Sequence, residues 1–154
     1  MSQINFFKVS KTGMDNLIKM EEYLHNTTIE PLTRELVKIR ASQINGCAYC
    51  LNMHTKDALK MGETNQRIFL LDAYRETKLF TDKEKAALML TDKLTRISNE
   101  EMTHEFRDNV LKFYTEKEYA DLVLLISQIN TWNRINISTN NDIDDPKWFS
   151  FSGW

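Results

Sequence analysis

Apolar residues recur along this chain every three to four positions, and the gaps between the runs carry turn and capping residues. Residues 1–12 are mixed and read as extended or frayed. Leu17, Met20 and Leu24 predict a short helix over Asp15 to Leu24, broken by His25-Asn26-Thr27-Thr28. Pro31 suits the first turn of the next helix, where its missing N–H costs nothing. Leu32, Leu36 and Ile39 form that helix's stripe, and Asn45-Gly46 stops it. A third helix runs from about Cys47 to just before Gly62, which fits the position past a helix end. Thr64 caps a short fourth helix through Ile68, Leu70 and Leu71. Thr81-Asp82-Lys83-Glu84 is a capping box, and the fifth helix follows with Ala86, Ala87, Leu90, Leu94 and Ile97 on one stripe. Thr103 caps a sixth, through Phe106, Val110 and Phe113. Thr115-Glu116-Lys117-Glu118 is a second capping box. It opens a last helix to about Ser138, apolar nearly all round from Leu122 to Ile129, as a buried helix would be. No stretch of useful length alternates like a strand. The expectation is all-α: one domain over 1–154 with six to seven helices, a core from about 14 to 138, and a tail over 139–154.

Composition agrees with long helices. Only four Gly and two Pro occur, whereas antiparallel β proteins need many turn residues. With 42% hydrophobic residues and a net charge of -2, the chain is not of the disordered class. Its 20 Lys+Arg against 22 Asp+Glu leave no cationic excess for phosphates, which argues against a nucleic-acid partner. The longest apolar run, Leu122 to Ile126, is far short of the roughly 20 residues that span a bilayer. The opening MSQINFFKVSKTG lacks the regions of a secretory signal. The expected location is cytoplasmic, with no membrane partner.

Both cysteines, Cys47 and Cys50, fall at i, i+3 just after the Gly46 break. In the first turn of a helix they share one face, where unpaired N–H groups and the helix dipole favour a thiolate. The same spacing lets the sulfurs close a disulfide. His54 lies one turn beyond Cys50 and can relay a proton. Leu51, Ala58 and Met61 continue this stripe, so the Cys/His face points into a partly apolar pocket. Glu35 borders the apolar stripe of Leu32 and Ile39, where partial desolvation suits a carboxylate for proton transfer. Antiparallel packing across Asn45-Gly46 would bring it towards His54. At a rise of about 1.5 Å per residue, the two lie about 15 and 12 Å from the turn.

The string Glu35-LVKIRASQING-Cys47-AY-Cys50-LNM-His54 resembles the core of alkylhydroperoxidases of the carboxymuconolactone decarboxylase-like superfamily: a Glu, eleven residues, CxxC, then xxxH. Leu90 to Ser98 resembles that family's next helix, and Ile129 to Ile135 its N-x-W-N-R ending. The resemblance covers roughly Glu30 to Ile137. It implies an AhpD-like helical fold with a hairpin carrying the site, assembly into trimers or hexamers, and reduction of hydroperoxides. Carried over, Cys50 is the peroxidatic thiolate, Cys47 the resolving thiol, and His54 with Glu35 the proton relay, through a water. Tyr49 departs from the pattern: the best-known members carry His immediately before the second Cys. A tyrosine, with a reference pKa near 10, is a poorer proton donor.

Blander assignments stand beside these. The cysteines could be two small core hydrophobes. CxxC with His54 supplies three zinc ligands where a closed site takes four, and no second CxxC completes it, so no metal is expected. Glu35 could pair with Lys38 or Arg34 on a solvated face. Asn130, Asn133 and Arg134 share one face and line the site, brace a buried helix or make a subunit contact. His25 and His104 read as surface residues near helix ends. The apolar Trp148, Phe149, Phe151 and Trp154 are expected to cover a neighbouring subunit or the chain's own core. The expected activity is dithiol peroxidase, with no bound cofactor and an external dithiol donor, lipoyl or thioredoxin-like. A carboxymuconolactone decarboxylase and a non-catalytic redox sensor are the alternatives. The decarboxylases typically lack the CxxC.

Overall fold

The computed structural model describes residues 4–143; residues 1–3 and 144–154, with the four tail aromatics, lie outside the described residues. Among the described residues there are helices and no strands. In order they are α1 (Phe6–Val9), α2 (Lys11–His25), α3 (Pro31–Asn45), α4 (Ala48–Lys60), α5 (Asn65–Phe69), α6 (Asp82–Thr95), α7 (His104–Val110) and α8 (Glu116–Ser138), with 3-10 turns at Leu71–Glu76 and Ile97–Asn99.

The N-terminal stretch is more ordered than its sequence suggests. Asn5 caps α1 by accepting from the Lys8 N–H at 3.2 Å, and α2 begins at Lys11, four residues before Asp15. A four-residue helix shows no periodicity, and Gly13 in the first turn of α2 masks its start. Both capping boxes form, at Thr81/Glu84 and Thr115/Glu118. Ile97 is not on the stripe of α6: the helix ends at Thr95, and Ile97 is 61% exposed. Phe113 lies beyond α7 and is exposed. The last helix, α8, is not buried all round, because Leu124 and Ser127 face outward.

α3 is the axis of the fold and packs against α4, α6 and α8. Its apolar residues point three ways. Val37 joins Leu24, Leu90, Leu122 and Ile126. Leu36 and Ile39 join Ala58, Leu71, Tyr74 and Leu88. Ala41 joins Met14, Ile129 and Trp132. A helix flanked on three sides must also bury polar groups, and these are partnered. Arg40 donates from Nε to Asp92 Oδ1 at 2.6 Å and also pairs with Asp72. Asn133 donates to Ser42 Oγ at 2.9 Å, and Asn45 donates to both Asn130 and Asn133 at 2.9 Å.

Gly46 ends α3 with φ 70°, a left-handed conformation that a Cβ would strain. The chain reverses there, and Cys47 becomes the N-cap of α4. α3 and α4 thus form the hairpin that carries the site. No helix among the described residues is long and apolar enough to cross a membrane.

Candidate functional site

The first turn of α4 presents both sulfurs. Cys47 Sγ accepts from the Cys50 N–H at 3.3 Å, taking one of the N–H groups that a helix start leaves unpaired. Cys47 and Cys50 are joined in a disulfide. Each is 1% exposed, yet Cys50 lines a cavity and Cys47 does not. Tyr49, Met53, His54 and Asp57 of α4 line the same cavity, opposite Glu35 and Lys38 of α3 and Trp132 and Asn136 of α8.

His54 Nδ1 lies 2.8 Å from Glu35 Oε2, and both residues are buried. Lys38 Nζ lies 3.2 Å from the other Glu35 oxygen and 3.8 Å from Glu21 Oε2, while Trp132 Nε1 donates to Glu21 Oε1 at 2.7 Å. Burial pushes the Glu35 carboxyl up, but the facing His54 and Lys38 outweigh it and hold it down at about 2. The carboxylate is therefore ionised at neutral pH and accepts from His54. In neutral His54 this fixes the proton on Nδ1 and leaves Nε2 as the basic nitrogen. The pair is legible in part from the sequence: two residues 19 apart meet because the Gly46 turn folds α4 back on α3.

Because Glu35 is held well below the ordinary carboxylate range, it makes the stability of the fold depend on pH. The carboxylate stabilises the fold fully above its ordinary value of 4.5. As pH falls from there to about 2, the unfolded chain binds a proton that the folded chain resists, and that stability is lost. Glu35→Gln should be less stable than wild type at pH 7 and should lose less between pH 4.5 and 2. Urea titrations at a series of pH values check it.

Donor atoms of Glu35, His54 and Asp57 lie within 4.8 Å of one another, close enough to share a metal ion. The Lys38 ammonium already sits against Glu35 and works against a second cation there. Of the residues proposed to line the site from sequence, Tyr49 does so, but Asn133 and Arg134 do not. Asn133 is fully buried against Ser42 and Asn45, and Arg134 lines a separate groove with Leu94 and Val123. His25, read as a surface residue, is exposed at the rim of the cavity. Asn136 went unmarked in the sequence. Its Nδ2 donates to Cys50 Sγ at 3.7 Å, and only its position two residues past Arg134 on α8 could have drawn notice.

Comparison with known proteins adds four findings. The pattern of the carboxymuconolactone decarboxylase family matches residues 14–93. The uncharacterised protein YdfG of Bacillus subtilis (strain 168) is 46% identical over 142 residues, covering 92% of this chain and 97% of that protein. The crystal structure of an Agrobacterium tumefaciens protein of unknown function, suggested to be the antioxidant defence protein AhpD, superposes with a TM-score of 0.86 at 30% identity, over 92% of this chain and 97% of that one. The debrominase Bmp8 shares the fold at a TM-score of 0.71 and 16% identity, over 84% of this chain and 69% of that one.

Proposed function

The chain belongs to the carboxymuconolactone decarboxylase family with an AhpD-like fold, and we propose that it is a dithiol peroxidase that reduces alkyl hydroperoxides through Cys50 and Cys47. One observation carries the reading: Cys50 is the redox sulfur that opens onto a cavity, and the His54–Glu35 pair lines that cavity one helical turn away.

In the reduced protein, the Cys50 thiolate attacks the terminal peroxide oxygen. The O–O bond breaks, Cys50 becomes a sulfenic acid, and the alkoxide leaves with the proton that His54 Nε2 took from the Cys50 thiol when the thiolate formed. Glu35 stabilises the imidazolium that carries that proton. The Cys47 thiol then attacks the sulfenic sulfur, forming the Cys47–Cys50 disulfide and releasing water. An external dithiol restores the enzyme. Its thiolate attacks Cys50 from the cavity and expels Cys47 as a thiolate, which the Cys50 N–H stabilises. The second donor thiol closes the donor's own disulfide and frees Cys50. No bound cofactor enters this scheme. A lipoyl group or a thioredoxin-like protein suits the donor role, in the cytoplasm, with the chain in trimers or hexamers. Of the alternatives carried from the sequence, the redox sensor is an outcome of the test, and the decarboxylase stays open only if no hydroperoxide is consumed.

The test is hydroperoxide consumption by the reduced protein, with dithiothreitol or dihydrolipoamide as donor. Many turnovers per chain are expected. One equivalent consumed and no more would make the protein a sensor. None would remove hydroperoxides as its substrate.

A further inference from the structure

Cys50 sits in a cavity poorly supplied with fixed positive charge. Glu21 and His25 come from α2, Arg34, Glu35 and Lys38 from α3, and Tyr49, His54 and Asp57 from α4. Three carboxylates thus face two fixed cations, and Lys38 is spent between Glu35 and Glu21. Arg34 is turned away to the Ile29 carbonyl, to which Nη1 donates at 2.9 Å. The N–H at the start of α4 that reaches a sulfur goes to Cys47. The donor aimed at Cys50 comes instead from α8. Asn136 Nδ2 lies 3.7 Å from Cys50 Sγ.

The orientation of that amide is settled by its other bonds. The Trp132 carbonyl can only accept, and it lies 2.9 Å from Asn136 Nδ2, so the nitrogen must face it. The same nitrogen has a second hydrogen, and this one faces the sulfur. Asn136 Oδ1 accepts from Asn141 Nδ2 at 2.7 Å, which locks the remaining side. Asn136 is itself 7% exposed, so little water competes for the bond.

We infer that Asn136 stabilises the Cys50 thiolate through this fixed N–H donor and so makes Cys50 the nucleophile of the pair. An N–H···S bond strengthens when the sulfur becomes an anion, because the donor then meets a full charge. The donor therefore acts in the resting dithiol and again when Cys50 is released at the end of reduction. The inference rests on the proposed function in taking Cys50 as the reacting sulfur, but its test needs no peroxide.

In a Cys47→Ser background, the rate of Cys50 alkylation by iodoacetamide is followed against pH. Asn136→Ala should move the midpoint up by about one pH unit. Asn136→Asp, which sets a carboxylate beside the sulfur, should move it further, and either variant carries the test if the other does not fold. Asn141→Ala disturbs the same bracing but leaves the donor on the Trp132 carbonyl, so it should lower the melting temperature without moving the midpoint. An unmoved midpoint in a folded Asn136 variant would overturn the inference, as would an equal shift in Asn141→Ala. A shifted midpoint in a protein that turns over no hydroperoxide would instead remove the peroxidase reading and leave the role of Asn136 standing.

Discussion

Cys50→Ser should lose hydroperoxide turnover by a factor on the order of 10³ or more, down to the rate of buffer and reductant alone. A serine hydroxyl is not ionised near neutral pH and cannot accept the peroxide oxygen as a thiolate does. Cys47→Ser should behave differently. Cys50 keeps its place on the cavity, its neighbour His54 and the Asn136 donor. The reduced variant should consume one equivalent in a burst and then proceed far more slowly than wild type. Without Cys47 the sulfenic acid waits for an outside thiol instead of a sulfur three residues away. Stopped-flow consumption of hydroperoxide with limiting enzyme separates the two variants. Full steady-state activity in Cys47→Ser would remove the resolving role. A burst in Cys50→Ser would reverse the assignment of the two sulfurs.

The second large effect is on stability. Asp92 receives Arg40 Nε at 2.6 Å, Tyr74 OH at 3.0 Å and Arg75 Nη2 at 2.9 Å, and its side chain is 4% exposed. This carboxylate ties α6 to α3 and to the 3-10 turn at Leu71–Glu76. Asp92→Ala would leave the Arg40 guanidinium buried, with Gln43 and the exposed Asp72 as its remaining side-chain partners. Breaking a buried pair by removing one side typically costs about 3–5 kcal/mol. For a domain of this size that lowers the melting temperature by roughly 10 °C. The double replacement Arg40→Met with Asp92→Leu should recover much of the loss, since the penalty comes from the stranded charge rather than from lost attraction. Calorimetry of the three proteins decides it. A melting temperature for Asp92→Ala equal to wild type would mean that Asp72 alone neutralises Arg40.

The seven helices read from sequence correspond to α2 through α8, because each announces itself locally. Pro31 marks a start, Gly46 and Gly62 mark ends, and Thr81 and Thr115 bring their own capping glutamates. What local signals cannot carry is α1, four residues long, or the end of α6 at Thr95, where Ile97 continues the stripe after the helix has stopped. The site divides in the same way. Cys47, Cys50 and His54 lie within two turns of one helix, so their phase is visible in the spacing. Glu35 needed only one tight turn to reach them. Lys38, Glu21, Trp132 and Asn136 come together from three helices, and their partnership depends on packing that no short window of sequence contains. Asn133 lies at i, i+3 from Asn136 but is held by Ser42 and Asn45, and Arg134 points to a separate groove, so the sequence left those two between lining the site and bracing the helix and missed the residue that reaches the cavity.

In the proposed mechanism the Cys50 sulfur is the atom that a hydroperoxide oxidises. The direct measurement is mass spectrometry of reduced Cys47→Ser protein after one equivalent of cumene hydroperoxide and trapping with dimedone, beside the reciprocal Cys50→Ser. One dimedone adduct is expected, on Cys50, and none on Cys47 in the reciprocal variant. An adduct on Cys47, or no adduct on Cys50 in protein whose Cys50 still reacts with iodoacetamide, would contradict that mechanism.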